Sequence, residues 1–238
     1  MKTIHTYGML VLLAFANIQA KKIKKPNARI DMMEDNIAFW ARQQKEHAQF
    51  CVDFTSNDKL KEEGRTIAEK FNQLHTKPQS KNREFLSLTS RIKKFQNNVK
   101  NMLKESDKEY SIKIALIDHM NLEANYAEKK VRGKRFSKSE ELKFWMEEHK
   151  GEAEATAYYM NDDKELKTES DQLAKELKTE IAKPTLALAQ DANQELDDIS
   201  EELNENPEKT RMSGKLAEHE KRERDWAKKI FKKLAHNS

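Results

Sequence analysis

Apolar residues recur along the chain at steps of three and four, and no run alternates with period two long enough to make a strand. That spacing predicts α-helices throughout. Eight are expected, over 31–55, 58–77, 82–105 and 109–131, then over 138–160, 163–182, 185–204 and 210–235. Their boundaries follow from local chemistry. Thr55-Ser56-Asn57-Asp58 and Asn161-Asp162-Asp163 supply N-cap side chains. Pro78 and Pro184 end or restart helices, because proline lacks the backbone donor and clashes with the preceding turn.

The same features recur in order, which marks an internal duplication. Phe39-Trp40 returns as Phe144-Trp145 at an offset of 105, and Leu60, Ala68 and Phe71 return as Leu166, Ala174 and Leu177 at 106. Lys77-Pro78 returns as Lys183-Pro184 at 106. His119-x-x-x-Glu123-x-x-Tyr126-Ala127 returns as His219-x-x-x-Glu223-x-x-Trp226-Ala227 at 100, which requires only a shorter connection in the second copy. The expected fold is therefore all-α: two tandem four-helix bundles, one per repeat, over 31–131 and 138–236. Short connections favour antiparallel neighbours, and intimate packing of all eight helices into one body is the alternative.

Composition narrows the classes further. Of 238 residues, 36% are charged, yet 45 Lys+Arg against 41 Asp+Glu leave a formal net charge of only +4. With both signs interspersed, the low mean hydropathy of −0.99 fits solvated helix surfaces rather than a self-repelling disordered chain. Basic residues are not gathered on one face, so nucleic acid is not an expected partner. One Cys excludes a disulfide scaffold and a thiolate zinc finger, and five Gly with four Pro are too few for an all-β sandwich. The five Gly are isolated, so there is no phosphate-binding loop, and no nucleophile–base arrangement or cofactor fingerprint is present.

Residues 1–20 have the form of a secretory signal: Lys2, an apolar core over 9–16, and Ala20 closing a cleavage site. The apolar stretch is too short for a stable membrane anchor. An exported protein, periplasmic or extracellular after cleavage, is expected.

The candidate chemistry lies where polar residues interrupt apolar stripes. His47 stands within Ile37, Trp40, Gln44, Cys51 and Phe54. His119 and Glu123 stand between Leu116 and Tyr126, and His219 and Glu223 between Leu216 and Trp226. Alignment on the Phe-Trp pairs puts Glu152 in the place of His47, while Glu63 and Glu169 correspond on the second helix of each repeat. Ionised groups inside a bundle are costly unless paired or bound to metal. Imidazole and carboxylate converging from three helices suit iron, manganese or zinc. Two sites are expected: His47, His119 and Glu123 with Glu63, and Glu152, His219 and Glu223 with Glu169, His149 standing behind the second set. Plain ion pairs between residues four apart are the competing reading.

Phe39-Trp40, Glu46-His47-Ala48, the helix from Asp58 to Phe71 and His119-Met120-x-x-Glu123-x-x-Tyr126, all duplicated, resemble a bacterial family of ferritin-like duplicated helical-bundle proteins catalogued as a domain of unknown function. The resemblance covers nearly the whole chain after the signal. It implies a tandem four-helix-bundle fold and bound iron or a similar ion, with His47, His119, Glu123, His219 and Glu223 as ligands. The second copy departs from Glu-His-Ala with Gly151-Glu152-Ala153. The expected function is metal binding, iron preferred, with one ion per copy or a shared pair. The alternatives are a di-iron-type oxidoreductase acting on oxygen or peroxide, and a metal-free helical adaptor. Ferritin-like di-iron sites use Glu-x-x-His, whereas this chain has His-x-x-x-Glu.

Overall fold

The structure, a computed structural model, describes residues 28–78, 81–104, 111–160, 163–210, 212 and 214–236. The segment 1–20 read as a signal lies outside them. The described residues form eight α-helices and no strand: α1 Ala28–Phe54, α2 Asp58–Thr76, α3 Asn82–Lys104, α4 Ser111–Val131, α5 Lys138–Tyr159, α6 Lys164–Glu180, α7 Leu186–Glu205 and α8 Gly214–His236. The last begins later than position 210. Pro207–Lys209 form a 3-10 turn, and Thr210 makes an isolated antiparallel bridge to Met160 while its hydroxyl donates to the Tyr159 carbonyl at 3.1 Å.

Helix starts follow the capping chemistry. The Asn57 side chain accepts from the backbone N–H groups of Lys59 and Leu60, and Asp163 accepts from those of Glu165 and Leu166. These are the same device at the same place in each half, 106 residues apart. Ser137 and Glu140 form a reciprocal capping box at the start of α5. Gly133, at φ +81°, ends α4: its N–H donates to the Lys130 carbonyl, and the Lys134 N–H reaches back to Lys129, both at 2.9 Å. This left-handed turn favours glycine because a Cβ is strained there.

α1 lies against α2, α3 and α4, α5 lies against α6, α7 and α8, and α4 touches α5. The hydrophobic core does not divide between these quartets. Among the described residues one cluster of buried side chains draws on all eight helices, and Met160, Leu166, Ile199 and Leu203 form a separate patch. Aromatic rings join the halves. Tyr126 of α4 stacks on Phe144 of α5 with centroids 3.6 Å apart, Trp40 of α1 meets Tyr126 edge-on at 5.6 Å, and Phe39 of α1 stacks on Trp226 of α8 at 4.3 Å. Eight helices sharing one core, rather than two separately closed bundles, is therefore the arrangement of the apolar side chains. No helix among the described residues is long and apolar enough to cross a membrane.

Candidate metal centre

Four helices aim polar side chains at one buried point between the halves: α1 with His47, α4 with His119 and Glu123, α5 with Glu148, and α8 with His219 and Glu223. Their ligand atoms form two overlapping quartets. One is His47, Glu123, His219 and Glu223, the other His119, Glu123, Glu148 and Glu223, and within each the atoms lie within 4.8 Å of one another. Glu123 and Glu223 belong to both. On α4 and α8 the spacing of four places imidazole and carboxylate one turn apart on one helix face, with His119 Nε2 3.5 Å from Glu123 Oε1 and His219 Nε2 3.3 Å from Glu223 Oε1. Contacts across helices complete the cluster: His47 Nε2 is 3.2 Å from Glu123 Oε1 and 3.1 Å from His219 Nε2, and His119 Nε2 is 3.1 Å from Glu148 Oε2.

The surroundings hold these groups in place. His219 Nδ1 lies 2.8 Å from Glu46 Oε2, and Glu46 is also bound by Arg222 and, at 3.4 Å, by Arg42. Gln43 Nε2 donates to Glu223 Oε1 at 2.5 Å. Leu116, Met120, Gly151, Glu152, Leu216 and Glu220 line a small cavity of ≈ 10 Å³ beside His47, His119, His219 and Glu223. That is about the space of one water molecule.

Burial sets the electrostatics. It pushes the Glu123 and Glu148 carboxyls well above the usual carboxylate range, reinforced by the negative charge of Glu223. Burial opposes the ionisation of Glu223 too, but His219 holds it below that range. The reciprocal effect raises His219 to about 9: burial opposes its charge, and Glu223 and Glu46 more than offset this. Burial lowers His47 well below the ordinary imidazole value, with the charge of His219 adding to it, and also lowers His119. Among the three histidines the charged form is therefore favoured at His219, whose Nε2 lies within reach of both His47 Nε2 at 3.1 Å and Glu223 Oε1 at 3.3 Å.

The donor set fits a transition metal on an observation independent of the sequence pattern. Neither oxygen of Glu148 has a hydrogen-bond partner of good geometry, although His119 Nε2 lies 3.1 Å away, and Glu123 is left with the Glu223 carboxylate as its hydrogen-bonding neighbour; all four oxygens are buried. Buried carboxylate oxygens without partners carry a large desolvation cost, which a coordinated cation removes. Imidazole with carboxylate is a donor set for iron, manganese or zinc.

The expected two sites thus come together as one cluster. His47, His119, Glu123, His219 and Glu223 converge; three other candidates do not. Glu152 is taken by the buried guanidinium of Arg224, which also binds Asp197 Oδ1 at 2.7 Å and Ser200 Oγ at 2.8 Å. Arg224 stands where the first repeat has Ala124, so the cation that draws Glu152 away is peculiar to the second half. Glu63 is half-exposed, 3.8 Å from Arg91 Nε. Glu169 is exposed in a surface groove with Glu195 and Asp198. Both sit on the rim because the α2 and α6 stripes turn Ile67 and Phe71, and Leu173 and Leu177, inward instead. His149 is buried with Nδ1 3.9 Å from Glu152, and burial and Arg224 lower it to about 3, so it stays neutral.

Sequence reasoning missed Glu148, Glu46 as the partner of His219, and Gln43. Glu148 lies one residue off the α5 stripe, inside the run Glu147-Glu148-His149, where it reads as surface charge. The signal that could have found it is the offset of 105, which matches it to Gln43, itself buried against Glu223.

No family model matches the chain, and no curated protein does. Among solved structures the chain is similar to an uncharacterized protein from Bacillus cereus G9241, with a TM-score of 0.71 and 18% identity over 83% of this chain and 88% of that one. At that identity the likeness establishes a shared helical fold.

Proposed function

We propose that this protein binds a pair of transition-metal ions, iron preferred, in one His/Glu centre shared between its two repeats. The observation that carries this reading is the membership of Glu123 and Glu223 in both ligand quartets, since a carboxylate has two oxygens and can serve two neighbouring ions. His47 and His219 would hold one ion and His119 and Glu148 the other. Bound metal would stabilise the fold by mass action, by about 2.7 kcal/mol at a hundredfold excess over Kd. The duplication and the ferritin-like family resemblance belong to the same proposal: each repeat supplies half a centre, so neither completes one alone. Export after cleavage of residues 1–20 is proposed on the form of that segment. A second reading, a di-iron-type oxidoreductase, is favoured by the cavity of ≈ 10 Å³, which leaves space for one water-sized ligand beside the ligand atoms.

Elemental analysis of the untagged mature protein tests the proposal. The expected result is two ions per chain, lost in the His119→Ala/His219→Ala double variant, and a melting temperature that falls on chelation. A metal-free wild type whose melting is indifferent to chelators would favour the helical adaptor, in which these residues are only buried ion pairs. Absorption bands of a bridged iron pair that change on exposure to oxygen or peroxide would favour the oxidoreductase.

A further inference from the structure

The two histidines related by the duplication, His119 and His219, are held differently. His219 has a carboxylate behind it: its Nδ1 lies 2.8 Å from Glu46 Oε2, and Glu46 is fixed in turn by Arg222 and Arg42. The offset of 105 relating Phe39-Trp40 to Phe144-Trp145 carries Glu46 onto Gly151. Gly151 lies against the His119 ring so closely that a Cβ there would stand 2.5 Å from Nδ1, 3.0 Å from Cε1 and 3.3 Å from Cγ. At the equivalent place, then, His119 meets bare backbone where His219 meets a carboxylate. The nearby charges Lys150 and Glu154 pair with each other at 2.7 Å rather than with the ring. Exposure differs in the same sense, 16% for the His119 side chain against 5% for His219, and the Phe50 ring covers His219 edge-on at 5.4 Å.

Resting on the metal-pair reading, we propose that the two metal positions are unequal. The one served by His219 and His47 is tight and closed. The one served by His119 and Glu148 is weaker and exchanges with solvent. Glu46 and Gly151 are the positioning residues that set the difference. A carboxylate on the far nitrogen of a ligating histidine fixes its tautomer and orientation and raises its basicity, and its loss costs 10–100-fold in metal affinity. Glu46 supplies this to one histidine only. Gly151 supplies room: any larger side chain would push the His119 ring off its position. A labile position beside a fixed one is what a centre needs in order to hand over an ion or admit an exogenous ligand.

Anaerobic titration of the metal-free full chain with ferrous iron, read by calorimetry and by the imidazole NMR signals, tests this. Wild type should bind in two steps at least about tenfold apart, with His219 signals perturbed in the first and His119 signals in the second. Glu46→Ala should weaken the first step 10–100-fold and leave the second, and Glu46→Gln, which keeps an acceptor, should recover part of the loss. Gly151→Ala should leave the first step intact and abolish or weaken the second, lowering the stoichiometry toward one. Melting of each metal-free variant separates misfolding from lost ligation, and the order of signals in wild type stands whatever the variants do. Two equal steps, His119 responding first, or both variants weakening both steps alike would overturn the inequality and leave the shared centre standing. No binding by wild type would overturn both.

Discussion

Arg224 shows how one side chain redirects a site. It is 1% exposed and contacts Glu152 and Asp197, with Lys228 adding a further contact to Asp197. Removing one partner of a buried ion pair strands the other charge, at a cost of about 3–5 kcal/mol. Arg224→Ala should therefore lower the urea midpoint by that equivalent, whereas Arg224→Met with Glu152→Leu should recover part of it, because the stranded Glu152 carboxylate is removed and Asp197 keeps Lys228. A double variant no more stable than Arg224→Ala would contradict this. His47, His119, Glu123, His219 and Glu223 were legible in the sequence, because a polar residue inside an apolar stripe is conspicuous and the repeat shows the helical pairs twice. Glu152 was legible as a buried carboxylate, but its partner was not. Whether a buried carboxylate meets a metal or a guanidinium depends on a residue of another helix, 72 positions away in the chain.

The helices are set by short-range chemistry, and their caps are testable in isolation. Asn57 and Asp163 perform the same function for α2 and α6, but only Asp163 titrates. Its carboxyl is held below the usual range by the Leu166 N–H and by Lys209. A carboxylate depressed in the folded state contributes stability above its unfolded pKa of about 3.9, and that contribution is lost as pH falls through the lower folded value. The destabilisation caused by Asp163→Ala should accordingly be present at pH 7 and shrink on acidification toward pH 2. Asn57→Ala should cost about 1 kcal/mol with no such trend. Melting both variants across that range checks the assignment, and a flat Asp163→Ala difference would count against it. Helix boundaries were readable because caps, prolines and glycines act within a few residues. The exception is the start of α8, where the Met160–Thr210 bridge draws on a residue 50 positions distant.

At the scale of the whole molecule, one core predicts one transition. Because the buried cluster draws on all eight helices and the aromatic rings of α1, α4, α5 and α8 interlock, the two repeats should unfold together. Calorimetric and van't Hoff enthalpies should agree. Phe144→Ala, which removes the ring stacked on Tyr126, should cost about 3–5 kcal/mol and shift that single transition without splitting it. Two resolved transitions in wild type would show that the repeats are energetically separate.

Helix content, the recurring offsets and the positions of most polar candidates could be read from the sequence alone, because periodicity, capping and offsets are properties of residues close together or matched in order. Only the tertiary structure decided that the two halves share one core and one cluster, that Glu148 joins it and Glu152 leaves it, and that Glu46 backs His219 while Gly151 faces His119. Those outcomes depend on how side chains from α1, α4, α5 and α8 are rotated toward a common point. Such rotation is fixed by the packing of aromatic and aliphatic neighbours across helices, which no single stripe encodes.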